Sequence, residues 1–246
     1  MRVLVAMPMV QDRKYRPAID AAFALEWPER LDYLMLVGGD DLDTPFKNIT
    51  HKYKYARQVM LDSGYDALLT LESDIIAPPD ALLKLAAVEA DVAYGLYVWR
   101  GIWPFWSAYS QLTKRIGRTV AMDKEKALDA WGKVIEVAGI GHGCTLIHRR
   151  VLEVLDFRLA DDMAYCCDWT FGLDCQAHGF VQKCDTSVVC GHIKLDPEIC
   201  IAWPDISKHH FYRWAEIGPP PEGILVDGLT YAKQTQGRAI NGPITY

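Results

Sequence analysis

The stretch Leu68-Leu69-Thr70-Leu71-Glu72-Ser73-Asp74-Ile75-Ile76-Ala77-Pro78-Pro79-Asp80 decides how this chain is read. An apolar run ends in two acidic residues with one residue between them, and a Pro-Pro turn leads into a helical pattern. The run reads as a buried strand that carries Glu72 and Asp74 to the carboxyl edge of a sheet, where open α/β sheets bind their ligands. Strand alternation puts both carboxylates on one side, with Ser73 opposite. Such a pair suits Mg²⁺ or Mn²⁺, and therefore a phosphate-bearing ligand.

Outward from this strand the pattern alternates. Strands are expected over residues 2–7, 31–37, 67–71 and 92–98, and helices over 17–25, 49–61 and 80–89. Pro17 sits at a first helical position, and Ala81, Leu82, Leu85 and Val88 are spaced for one apolar face. This alternation predicts a mostly parallel sheet flanked by helices. The second half is less regular, with strands expected over 134–138, 144–148 and 188–190 and helices over 149–155 and 168–178. Beyond Cys200 the chain is aromatic and proline-rich. The simplest division is one domain over 1–200 and an extension over 201–246 that packs on it.

The 246 residues are half hydrophobic, enough for one full core, and the formal net charge of -6 argues against a nucleic-acid binder held by bulk electrostatics. The N-terminal apolar run is too short for a signal peptide and ends at Pro8, and no apolar stretch is long enough to span a bilayer. The expected location is the cytoplasm, with peripheral membrane contact left open. Six of the seven cysteines fall between Cys166 and Cys200 without a CxxC pair, so they read as small buried hydrophobes rather than a zinc knuckle or a disulfide framework.

Two further constellations and two weaker features bear on the chemistry. Asp168 opens a helix that Gly179 ends; it either caps the helix or aims a carboxylate into a cleft, where it can take a proton from a hydroxyl. His192 follows the apolar strand end Val188-Val189-Cys190-Gly191, where a neutral imidazole can join a metal shell. The segment Trp99-Arg100-Gly101-Ile102-Trp103-Pro104-Phe105-Trp106 is too aromatic for an ordinary solvent loop. His142, between two glycines, either reaches a pocket or fills a turn.

In this order the motifs resemble the GT-A fold glycosyltransferases, close to the small bacterial and phage members of the family-2-like group. The resemblance runs over roughly residues 1–195. It begins at Val5-Ala6-Met7-Pro8 and continues through Tyr55-Ala56-Arg57-Gln58, which is similar to the family's A-R-N helix with Gln58 for Asn. Leu71-Glu72-Ser73-Asp74-Ile75 resembles the D-x-D strand, with Glu72 for the first Asp. Tyr94-Gly95-Leu96-Tyr97 and Gly139-Ile140-Gly141-His142-Gly143 resemble the segments that line the sugar pocket. Asp168, Phe171 and Gly179 match the E-D-x-x-F helix, with Cys167 for Glu, and His192 matches a late metal-binding histidine.

The resemblance implies a GT-A (Rossmann-like) α/β fold and transfer of a sugar from a nucleotide-diphosphate sugar, such as a UDP- or GDP-sugar, to a hydroxyl on a carbohydrate or other acceptor. Asp74 and His192 would hold Mn²⁺ or Mg²⁺. Pro8, Asp40, Asp41, Arg57 and Glu72 would line the nucleotide site, Glu72 touching the ribose or the metal through water. Gly141, His142 and Trp169 would shape the sugar and acceptor pocket. Asp168 would be the base, giving inversion, or would only orient the acceptor, leaving retention open. Two other classes compete. A nucleotidyltransferase also uses carboxylate-held metal but needs a glycine-rich phosphate loop, which Met7-Pro8-Met9-Val10 does not offer. A non-catalytic carbohydrate-binding protein with the same fold is the other.

Overall fold

In the computed structural model the chain is described over residues 1–9, 15–38, 42–99, 105–160, 166–195, 199–208 and 212–216. All six residues of β1 (Val3–Pro8) are buried, as a near-continuous apolar run requires of a central parallel strand. Next come α1 (Arg16–Phe23), β2 (Asp32–Leu36), α2 (Pro45–Asp62), β3 (Ala67–Leu71), the two-residue β4 (Ile75–Ile76), α3 (Ala81–Ala87) and β5 (Val92–Leu96). Helix α2 begins as its sequence dictates: Thr44 caps it by accepting the Lys47 N–H at 3.2 Å, and Pro45 fills the first turn.

The second half adds a hairpin of β6 (Tyr109–Leu112) and β7 (Gly117–Thr119), a 3₁₀ turn at Val120–Met122, and α4 (Lys124–Ala130). Strands β8 (Val134–Glu136) and β9 (Cys144–His148) follow, then the short α5 (Arg149–Leu152) and α6 (Cys167–His178). The chain continues with β10 (Gln182–Val189), β11 (Gly191–Leu195), β12 (Ile199–Pro204) and β13 (Tyr212–Glu216). Helix α6 ends at Gly179, which adopts φ 73° in the left-handed region while the Phe180 N–H returns to Cys175 O at 3.0 Å.

The main sheet has seven strands in the order β2-β1-β3-β9-β5-β10-β8. β1 pairs parallel with β2 and β3, and β5 with β10, while β9 and β8 run against their neighbours. This is the α/β class expected, a mostly parallel sheet with helices. A second sheet, β13-β12-β11-β4, takes in residues expected to form only a surface extension. Its β4 is the strand that leaves the Glu72–Asp74 stretch, so the two sheets are joined at that motif. Expected short strand 188–190 is in fact the end of the eight-residue β10, whose buried positions alternate over much of its length.

Topology converges the motifs. The carboxyl ends of β1, β3, β5 and β10 lie at one edge of the sheet, and antiparallel β9 begins there. Glu72 to Asp74, Tyr97, Gly141 to Gly143 and Gly191-His192 therefore meet at a single rim.

Candidate functional site

The pairing of β11 with β4 sets His192 opposite Ile75, and the Ile193 N–H donates to Asp74 O at 2.9 Å. His192 Nε2 thereby stands 3.8 Å from Asp74 Oδ1, with both side chains almost wholly buried. The other ring nitrogen is 2.7 Å from Val98 O. A carbonyl can only accept, so Nδ1 carries a proton, and Nε2 is the nitrogen turned toward the carboxylate. The ring stands edge-on to Tyr97, with centroids 5.4 Å apart.

Glu72 is committed on two sides. Its Oε1 accepts the phenol proton of Tyr53 at 2.8 Å, and its backbone N–H donates to Gly143 O at 3.0 Å. Tyr53 lies on the inner face of α2, and burial together with the Glu72 charge pushes its phenol well above the usual range.

Asp168 lies in the first turn of α6; the capping position belongs to Cys166, whose side chain makes no cap bond. The Asp168 carboxyl accepts the Trp169 N–H at 2.7 Å. Burial pushes its pKa up to about 6, partly offset by that backbone N–H and the Cys166 thiol. Near neutral pH this group can hold or accept a proton, which suits a general base. Its side reaches the rim at Gly141: a Cβ there would stand 2.9 Å from Asp168 Oδ2 and 2.1 Å from Tyr97 Oη. Only glycine admits both groups. Threonines fix the loop, since Thr70 Oγ1 donates to His142 O at 2.8 Å and Thr145 Oγ1 to Gly141 O at 3.2 Å.

Trp169 directs its indole N–H to Thr113 O at 2.9 Å and packs on Tyr109, with ring centroids 5.4 Å apart, so the β6–β7 hairpin is docked on the start of α6. Pro8 ends β1 beside Leu36 of β2, at the rim as expected. Asp40, Asp41 and the stretch 100–104 lie outside the described residues.

Two expectations are corrected. Arg57 does not face the rim: its Nε donates to Leu152 O and Leu155 O, each at 2.8 Å, so the guanidinium ties α2 to the end of α5. His142 does not line an open pocket. It is fully buried, edge-on to Tyr53, Phe157 and Phe171 at centroid distances of 5.0–5.1 Å. Among the described residues neither ring nitrogen has a hydrogen-bond partner, and burial pushes its pKa down to about 3. The flanking glycines turn the ring inward rather than toward the rim.

Three residues were missed by sequence reasoning. Tyr53 was not singled out, and Tyr97 was placed only within a segment resembling a sugar-pocket lining, with no role for its hydroxyl. Lys52, buried to 4 % exposure, donates from Nζ to Met9 O at 2.5 Å, just past the end of β1. A lysine in register with Ala56 and Met60, on the apolar stripe of α2, was the available signal.

Among the described residues no group of three or more His, Cys, Asp and Glu side chains is arranged to hold a metal ion. Asp74 and His192 form a two-donor set. Two donors about 2.1 Å from one ion stand between about 3.0 and 4.2 Å apart, depending on their angle, so their separation fits one ion. Among the described residues, no helix is long and apolar enough to cross a membrane.

No family model matches the sequence, and no curated protein matches it. Solved structures do. A crystal structure of A197 from STIV matches with a TM-score of 0.58 and 19% identity, over 90% of this chain and 98% of that one. S. aureus TarS 1-349 in complex with UDP matches with a TM-score of 0.46 and 12% identity, over 75% of this chain and 57% of that one. The same protein in complex with UDP-GlcNAc matches with a TM-score of 0.44 and 13% identity, over 75% and 56%. The chain thus spans little more than half the length of those TarS chains. The likeness is one of fold, and the fold is the GT-A-like α/β class that the ordered motifs implied.

Proposed function

We propose that this protein is a glycosyltransferase that moves a sugar from a nucleotide-diphosphate sugar to a hydroxyl acceptor with the help of Mn²⁺ or Mg²⁺. The observation that carries the reading is the meeting of Asp74 and His192 at the rim where Asp168 also arrives. One carboxylate oxygen and one neutral imidazole nitrogen suit either ion, with diphosphate oxygens and water completing the shell. When bound, the ion would neutralise charge on the diphosphate leaving group.

The chain's own residues do the rest. Val98 O holds the His192 ring through Nδ1–H, so that Nε2 would be the nitrogen that meets the ion. Tyr53 holds Glu72 at the rim, where the carboxylate would meet the ribose or a metal-bound water. Lys52 brings a positive charge beneath the end of β1, on the side where Pro8 would meet the nucleotide. Asp168 takes the proton of the acceptor hydroxyl as that oxygen attacks the anomeric carbon, which gives inversion. Trp169 and the docked hairpin form the acceptor side of the rim.

The test is release of nucleotide diphosphate from a panel of UDP- and GDP-sugars with Mn²⁺. Release that stops on chelation supports the reading. No release from any donor, together with no nucleotide binding, would overturn it in favour of a non-catalytic protein with this fold.

A further inference from the structure

Tyr97 follows β5 at the rim, and three contacts fix its position. Its backbone carbonyl accepts the Ser107 N–H at 2.8 Å, its ring stands edge-on to His192, and a Cβ on Gly143 would lie 3.0 Å from its ring carbons. The phenol is buried, and burial, together with the charges of Glu72 and Asp168, pushes its pKa well above the usual range. A protonated phenol has one hydrogen to donate.

Asp168 lies near the phenol oxygen. Both atoms lie against Gly141, at 2.1 and 2.9 Å from the place its Cβ would take. The two oxygens are therefore at most about 5 Å apart, within the span that one hydroxyl oxygen bridges when it makes hydrogen bonds of about 2.7 Å to each. Among the described residues no hydrogen bond joins them directly.

We propose that Tyr97 is a further catalytic residue, whose phenol hydroxyl and the Asp168 carboxylate together grip the attacking hydroxyl of the acceptor. This rests on the role proposed above for Asp168. The acceptor oxygen receives the Tyr97 proton as a hydrogen bond and gives its own proton to Asp168 Oδ2. Its remaining lone pair forms the bond to the anomeric carbon. The bond from that carbon to the diphosphate oxygen breaks, and its electron pair leaves on the diphosphate. Tyr97 keeps its proton throughout. Glycine at 141 is required because any side chain there would fill the gap.

A high-resolution crystal structure of the unliganded protein tests the grip without any activity. An ordered oxygen within hydrogen-bond distance of both Tyr97 Oη and Asp168 Oδ2, lost in Tyr97→Phe, is the expected result. A direct bond between the two residues, or an empty gap, overturns it. In turnover, Tyr97→Phe should slow nucleotide release from the donor that the wild type uses fastest by about three- to tenfold, the loss of one neutral hydrogen bond. UDP binding should stay within about twofold, because the phenol oxygen touches the acceptor and not the donor's nucleotide. An unchanged rate overturns the proposal. If the wild type releases nucleotide from no donor, the transferase reading fails, and the bridging oxygen alone decides whether Tyr97 and Asp168 grip a hydroxyl.

Discussion

His192 faces Asp74 across 3.8 Å because strands from distant parts of the chain pair there, His192 lying opposite Ile75. The pairing is a backbone matter, so side-chain substitution at either position leaves the strands in register. Asp74→Asn and His192→Ala should each weaken Mn²⁺-dependent UDP binding by at least about tenfold, as loss of a ligand to a shared ion demands. The double variant should lose little more than either single one, since both residues act through one ion. Calorimetric titration with UDP, with Mn²⁺ and then with chelator, checks this. In chelator all four proteins should bind UDP alike. Additive losses, or losses that persist in chelator, would mean that the two residues do not share an ion.

Asp168 has a cost that can be measured. Its pKa is raised from 3.8 to about 6, so the folded state binds the proton more tightly than the unfolded chain does. Stability therefore falls as pH rises from about 4 to 6 and stays low above that. Removing the charge should return up to about 3 kcal/mol at pH 8 and under about 1 kcal/mol near pH 4. Asp168→Asn is expected to melt higher than the wild type at pH 8, with the two curves converging toward pH 4. The same variant should lose about 10²- to 10⁴-fold in transfer, as loss of a general base does. Thermal melts across that pH range are the measurement, and a variant less stable at pH 8 would show that the carboxylate is held by favourable partners.

The strands and helices of the first hundred residues were legible because buried parallel strands are continuous apolar runs and their helices carry regular stripes. β10 was not, since Lys183 and Asp185 interrupt it and only Val188-Val189 stood out. The β6–β7 hairpin lacked alternation, with two exposed residues between its buried ends. At the site, Asp74, Asp168 and His192 were visible because an acidic residue or histidine just past an apolar strand, or at a helix start, is chemically conspicuous. Tyr53 was not, and Tyr97 was visible only as part of a pocket-lining segment, because a tyrosine in an apolar segment looks the same whether its hydroxyl works or merely packs. Arg57 and His142 misled for a related reason: residue type was read correctly, but direction depends on which face of α2, or which side of a glycine loop, the fold turns inward.

Arg57 now has a structural assignment. Its Nε serves two carbonyls, those of Leu152 and Leu155, and its side chain is mostly covered. Arg57→Met keeps the aliphatic stem and leaves both carbonyls without that donor. A loss of about 1–3 kcal/mol is expected, because a charged donor is removed from partly buried acceptors. UDP affinity should be unchanged. Chemical denaturation and a UDP titration on the same sample separate the two outcomes; a tenfold drop in affinity with normal stability would restore Arg57 to the nucleotide site.

His142 carries the opposite pH signature to Asp168. Its ring is fully buried against three aromatic side chains and, among the described residues, neither nitrogen is bonded, so its pKa falls from 6.5 to about 3. The unfolded chain thus binds the proton more tightly, and the stability tied to the neutral ring is complete above pH 6.5 and lost as pH falls toward 3. An apolar residue has no such loss. His142→Leu removes the two unsatisfied nitrogens but changes the packing, and the packing change alone has either sign. It is, however, independent of pH. The advantage of the variant over the wild type should therefore grow by about 2–3 kcal/mol between pH 7.5 and pH 4.5, whatever its value at pH 7.5. Asp168 titrates in the same window in both proteins and cancels from the difference. Urea unfolding of both proteins at the two pH values measures the growth. A constant difference would show that the imidazole is protonated with equal ease in the folded and unfolded chains, and so that water or a partner reaches it.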